Sequence, residues 1–254
     1  MAAQRLLLCL AVSACLPTCR CADESARPVA DDDTDVAAFD VGHAPAQPAI
    51  ECPLRKQGID PTALRPFADV AKYIAFLDRP DRAAWQKPDE VVAAFHLRGT
   101  ETVVDLGAGS GYFSFRFAAV LPRGQVIAAD TEGEMLRHIH HRAMSQGIHN
   151  IQVKLLQPAD PGVYPDADLI FICDVLHHVP DRQAWLAQLV GDMKPGARLA
   201  LIEFKEGKLP EGPPEAAKIP RAGLLQLAAQ AGLVLDAEHA ALLPYQVFLV
   251  FTKP

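Results

Sequence analysis

One nine-residue stretch restricts the fold more than any other. Val103-Val104-Asp105-Leu106-Gly107-Ala108-Gly109-Ser110-Gly111 runs an apolar strand into a glycine-rich turn. Glycines there let the backbone reverse sharply and approach a ligand without Cβ collisions. Strands are expected at 102–106, 125–129, 151–156, 168–173 and 198–204. Helices are expected between them at 112–120, 132–145, 222–231 and from an Asp181 cap to Met193. Alternation of this type means a parallel sheet wrapped by helices. Two final strands, 233–240 and 245–251, meet at a short Leu243-Pro244 turn, too brief for a crossover, so they should pair antiparallel. Upstream, Phe67, Val70, Ile74 and Leu77 step by three and four, as on an amphipathic helix. Pro88, then Asp89 and Glu90, mark the first turn of another.

The first sixty residues do not resemble part of this core. Residues 6–14 form an apolar-to-small run of nine after Arg5, ended by Pro17 and Arg20. A membrane span needs about 20 residues, so 1–14 reads as an export signal, and Val12-Ser13-Ala14-Cys15 resembles a bacterial lipidation site. The expected location is the bacterial periplasm, with membrane contact only through that lipid. Residues 15–60 are rich in Ala, Asp and Pro; 22–60 alone hold nine acids against three bases, and read as a disordered linker. Cys19, Cys21 and Cys52 could pair in an oxidising compartment, and no cysteine spacing has a zinc pattern. About 195 residues remain from Pro61, enough for one α/β domain opened by helices over 61–98. That part carries 22 acids and 19 bases, which lacks the electrostatic footprint of a nucleic-acid binder.

The glycine turn permits two cofactor classes. A dinucleotide site wants G-x-G-x-x-G facing a pyrophosphate. Here Gly107, Gly109 and Gly111 are followed by Tyr112, and Asp105 would repel phosphate. A carboxylate suits the cationic amine and sulfonium of S-adenosylmethionine, which has no phosphate. Asp130 ends the next strand, 19 residues after Gly111, placed to accept from ribose hydroxyls.

This stretch resembles motif I of class I S-adenosylmethionine-dependent methyltransferases. The resemblance extends through Arg82-x-x-Trp85-Gln86-Lys87-Pro88, Asp174-Val175-Leu176-His177-His178, Lys194-Pro195-Gly196, Gly212-Pro213-Pro214 and Leu243-Pro244-Tyr245-Gln246. These strings look like a bacterial subgroup related to small-molecule methyltransferases of quinone biosynthesis. The resemblance implies an α/β, Rossmann-like seven-stranded sheet of order 3-2-1-4-5-7-6, strand 7 antiparallel, with helices on both faces. It implies S-adenosylmethionine as cofactor, held by Asp105, Gly107, Ala108, Gly109 and Gly111. Asp130, Thr131 and Cys173 are expected beside them, with Met135 near the adenine and Asp160 within reach of its amino group.

The acceptor side is expected after the fourth strand. Alignment and exclusion of water supply most of the rate of methyl transfer, and a base is needed only for a proton of high pKa. His177, His178 and Asp174 are the catalytic candidates; the competing reading has His178 capping the strand or packing on the helix behind Asp181. Trp85, Gln86 and Lys87 either wall the cofactor or anchor a loop. Residues 207–220, with four prolines, are a candidate lid. His138, His140 and His141 read as a solvated helix face, and no metal site is expected. The sequence lacks an N-P-P-Y-like string after the fourth strand, a Pro-Cys nucleophile and an arsenite-type cysteine set, which leaves a small-molecule acceptor as the expected partner. Two other functions compete: an exported S-adenosylmethionine-binding pseudo-enzyme, and an NAD-dependent oxidoreductase.

Overall fold

The computed structural model describes residues 67–254. The expected export signal, Cys15 and the linker lie outside the described residues. Three helices come first: α1 (Phe67–Leu77), α2 (Arg82–Gln86) and α3 (Pro88–Ala93). Then β1 (Thr102–Leu106), α4 (Ser114–Val120), β2 (Gln125–Asp130), α5 (Gly133–Ser145), β3 (Ile151–Leu155) and β4 (Leu169–Cys173) alternate. A 3-10 turn (Leu176–His178), α6 (Arg182–Asp192), β5 (Arg198–Phe204), a second 3-10 turn (Glu215–Ala217), α7 (Arg221–Gln230), β6 (Val234–Glu238) and β7 (Gln246–Thr252) complete the chain.

The sheet has the order β3-β2-β1-β4-β5-β7-β6. β7 runs antiparallel to both neighbours, with Phe204 opposite Gln246, while the other pairs are parallel. Period-two alternation divides each central strand between two cores. Val103, Phe171, Ile202 and Phe248 pack with Val91, Phe95 and Phe117 on one face. Val104, Ile170, Leu201 and Leu249 pack with Leu186, Leu189 and Leu224 on the other. β4 is covered on both faces, which is why it reads as an uninterrupted apolar run. Phe95 is a hub, with ring centroids 5.9, 6.0 and 5.6 Å from those of Phe117, Phe171 and Phe248.

Local signals account for several boundaries. Pro88 opens α3 with Asp89 and Glu90 in the first turn. The Asp181 carboxylate accepts from the Ala184 amide at 3.1 Å and caps α6. The helix expected from Tyr112 begins at Ser114, because the chain is still turning after Gly111, whose φ is +82°. On α5, His140 and His141 are exposed as expected, but His138 is half-buried.

Candidate active site

The carboxyl ends of β1, β2, β4 and β5 meet at one cavity of about 930 Å³. This is where open α/β sheets bind ligands.

Its floor is the glycine turn. The Gly107 and Ala108 amides both donate to the Ala129 carbonyl, at 2.8 and 3.0 Å. The Gly109 amide donates to Asp130 Oδ2 at 2.8 Å, and the Glu132 amide to Oδ1 at 2.9 Å. Three successive amides are thus taken up by the end of β2, so the turn offers no amide nest to a pyrophosphate. Asp130 is locked in place, yet a carboxylate has about four lone-pair positions, leaving capacity for a ligand hydroxyl beside the backbone amides. Burial pushes its pKa up, against the pull of those amides.

Gly107 has φ +80°, and a Cβ there would lie 2.2 Å from Val175 Cγ2. Gly111 does not line the cavity. A Cβ on it would sit 2.9 Å from Phe115 and 3.0 Å from Ile139, so its role is helix packing. The other expected cofactor residues, Asp105, Ala108, Gly109, Thr131, Met135, Asp160 and Cys173, all line the cavity. Asp160 Oδ1 already accepts from the Gly162 amide at 2.9 Å and Gln188 Nε2 at 3.1 Å. Asp105 is buried and takes a 2.5 Å hydrogen bond from Ser114 Oγ. Burial, helped by the Asp130 charge, raises its pKa to about 6, while Ser114 and Arg82 oppose the shift.

The opposite end is built from β4, β5 and β7. Asp174 has φ +59°, costly for a non-glycine residue and sustained only by surrounding contacts. Gln246 Nε2 donates to its two oxygens at 2.7 and 2.8 Å, and Gln86 Nε2 adds a bond at 3.2 Å. Burial and the Glu203 charge raise the Asp174 pKa to about 6. Gln86 also donates to Cys173 Sγ at 3.0 Å, and burial raises that thiol's pKa well above its usual value.

His177 sits on the first 3-10 turn, which Arg182 staples through the Leu176 and His177 carbonyls. Its Nδ1 lies 2.8 Å from Glu203 Oε2, and its amide donates to Oε1 at 3.2 Å. The two side chains are 6% and 1% exposed. Burial alone would lower the His177 pKa, but the Glu203 bond and charge raise it on balance. The carboxylate holds the proton on Nδ1 and leaves Nε2 as the basic nitrogen. The pKa of His178, 4.0 Å away by ring centroid, is lowered by burial and by His177 beside it.

Glu211, Gly212 and Pro213 of the candidate lid line the cavity, and Glu211 pairs with Arg79. The neck of this loop is closed by Glu215, which accepts from the Gly207 amide at 2.8 Å. Trp85 and Phe204 stand beside it with centroids 5.7 Å apart. Arg82, Glu203 and Gln246 were visible in the sequence only as members of the resembling strings or of a strand end, without roles, and Gln86 only as part of a segment that walls the cofactor or anchors a loop. Among the described residues no cluster of His, Cys, Asp or Glu could hold a metal ion.

Residues 104–199 match the methyltransferase domain family. A trans-aconitate 2-methyltransferase of Azoarcus sp. strain BH72 is 30% identical over 136 residues, covering 54% of this chain and 50% of that protein. A ubiquinone/menaquinone biosynthesis C-methyltransferase of Marinomonas sp. strain MWYL1 is 33% identical over 114 residues, 43% of this chain and 45% of that one. The chain thus spans about half the length of these curated relatives. A methyltransferase from Aquifex aeolicus superimposes with a TM-score of 0.67 at 24% identity, over 73% of this chain and 99% of that one. The magnesium protoporphyrin IX methyltransferase of Synechocystis PCC 6803, crystallised with S-adenosylhomocysteine, gives 0.58 at 19% identity, over 74% and 94%. Residues 104–199 are thus similar to methyltransferase domains, and the fold is that of S-adenosylmethionine-dependent methyltransferases. The donor set of the cavity fits S-adenosylmethionine: an anchored acid for ribose, a buried acid for a cationic amine, and a glycine turn whose amides are taken up rather than left for phosphate.

Proposed function

We propose that this domain methylates a protic group, in the first instance a hydroxyl, of a small molecule. The observation that carries this is the buried His177–Glu203 pair at the far end of the cavity from Asp130. Asp130, Asp105 and the glycine turn would hold S-adenosylmethionine, with Met135 and Asp160 at the adenine end. When bound, it supplies a methyl group on a sulfonium, open to direct displacement with the C–S electron pair leaving on sulfur. His177 Nε2 takes the acceptor's proton, and Glu203 stabilises the imidazolium that results. Gln246 and Gln86 hold Asp174 at the rim, where it orients the acceptor. The Glu211 loop excludes water. Two relatives named for trans-aconitate and for ubiquinone/menaquinone biosynthesis support a small-molecule acceptor.

A binding module without turnover is the second reading, favoured by the export signal expected at 1–14. Calorimetry with S-adenosylhomocysteine, followed by labelled methyl transfer to an acceptor panel, separates the two. Asp130→Ala should weaken nucleoside binding at least about tenfold, since a charge-assisted hydrogen bond contributes roughly 1.5–3 kcal/mol. Unchanged affinity in a folded Asp130→Ala protein would remove the ribose assignment. Tight binding with no transfer to any acceptor would favour the module.

A further inference from the structure

The cofactor's amino-acid end is a zwitterion, and Asp105 answers only its amine. A carboxylate taken into a closed cavity needs a cationic partner to offset its desolvation. Few candidates line this cavity. Among the described residues no lysine lines it. Arg79 is committed to Asp81, Glu211 and the Phe76 carbonyl. His177 is committed to Glu203, and burial lowers the pKa of His178, which disfavours its cationic form. Arg82 remains.

Arg82 is a buried arginine, 9% exposed, at the start of α2. Its guanidinium lies over the Tyr112 ring at 4.0 Å. Nε donates to Gln86 Oε1 and Nη1 to the Leu77 carbonyl at 2.7 Å. Among the described residues Nη2 has no hydrogen-bond partner, and Arg82 lines the cavity. Gln86 links the guanidinium onward to Cys173 and Asp174, while Asp105 lines the same cavity. A fixed guanidinium and a buried carboxylate therefore face one space. That is the chemistry of an α-amino acid receptor, because a planar fork matches a carboxylate.

We infer that Arg82 receives the α-carboxylate of the donor, and that Arg82 and Asp105 together select cofactors with an intact amino-acid end. This rests on the methyltransferase reading above.

The test compares two ligands on the full chain by calorimetry. S-adenosylhomocysteine carries the amino-acid end; 5′-methylthioadenosine keeps the nucleoside and sulfur without it. Arg82→Met should weaken S-adenosylhomocysteine by about tenfold to a hundredfold and leave 5′-methylthioadenosine unchanged. Arg82→Lys keeps the charge without the fork, and should show a smaller loss with the same selectivity. If the Met variant does not fold, the Lys variant carries the test alone. Equal loss for both ligands, or none for S-adenosylhomocysteine, would overturn the inference. A wild-type chain that binds 5′-methylthioadenosine but not S-adenosylhomocysteine would overturn it too, with the nucleoside site intact. A wild-type chain that binds neither would overturn the methyltransferase reading beneath it.

Discussion

Replacing Glu203 by Gln isolates one electrostatic element of the site. In the wild type, Nδ1–H of His177 meets a carboxylate at 2.8 Å with both side chains almost wholly buried. A hydrogen bond to a charged group is worth roughly 1.5–3 kcal/mol and a neutral one roughly 0.5–1.5 kcal/mol. The substitution therefore costs the imidazolium about 1–1.5 kcal/mol, or about one pKa unit. The direction is fixed by the wild-type state, in which Glu203 holds the His177 pKa above its usual value. A base works when neutral, so the acid limb of the pH–rate profile should move to lower pH by about one unit in Glu203→Gln. Asp174 also feels Glu203 and should ionise more readily; Arg182 already opposes charge on His177 and is left in place. Turnover should fall at neutral pH, because the glutamine no longer dictates which ring nitrogen holds the proton. His177→Asn should lose about 10²–10⁴ in turnover, with S-adenosylhomocysteine affinity held. The assay is single-turnover methyl transfer from pH 5 to 9 beside an NMR titration of the imidazole. An acid limb unmoved in Glu203→Gln, with His177→Asn near wild type, would refute the base and leave alignment alone.

Two other perturbations follow from the cofactor end. Asp105 is raised to about 6 in the folded protein from 3.8, so its contribution to stability is present below 3.8 and lost as pH rises through about 6. The donor's amine favours the ionised form, so S-adenosylhomocysteine affinity should rise across that window; calorimetry showing a flat response, or the same response in Asp105→Asn, would refute the pairing. Gly107→Ala combines a left-handed backbone, about 1–2 kcal/mol, with a Cβ 2.2 Å from Val175 and overpacking of about 1–3 kcal/mol. Urea unfolding should show a loss of roughly 2–5 kcal/mol, partly restored by Val175→Ala, whereas a loss within about 0.5 kcal/mol is the mark of an ordinary surface site.

Much of the glycine-turn end of the cavity was legible because it is local. Asp105 and the glycine turn are contiguous, and Asp130 follows after one helix and one strand. The parallel order was legible because apolar strands alternate with amphipathic helices. Gly111 misled, since a motif glycine can serve a ligand or a helix contact, and only the nearby Phe115 and Ile139 decide. The acceptor end resisted because its partners are remote. Gln86 and Gln246 reach Asp174 across 88 and 72 residues, and Glu203 reaches His177 across 26. No periodicity encodes such meetings; they depend on which strands become neighbours. Arg82 was hidden for another reason: a buried arginine looks the same in sequence as an exposed one.

The position of β7 has a consequence for synthesis. This strand follows β6 in the chain, yet it lies inside the sheet between β5 and β6. While the chain emerges, β6 has no strand to join, and the apolar edge of β5 stays open to mispairing. Gln246, which fastens Asp174, begins that final strand. A nascent chain can therefore shape the glycine-turn end of the cavity from β1 and β2 early, but the end that Gln246 fastens exists only once β7 has emerged. A ribosome stalled before codon 246 would hold a chain with half a cavity and an unzipped sheet.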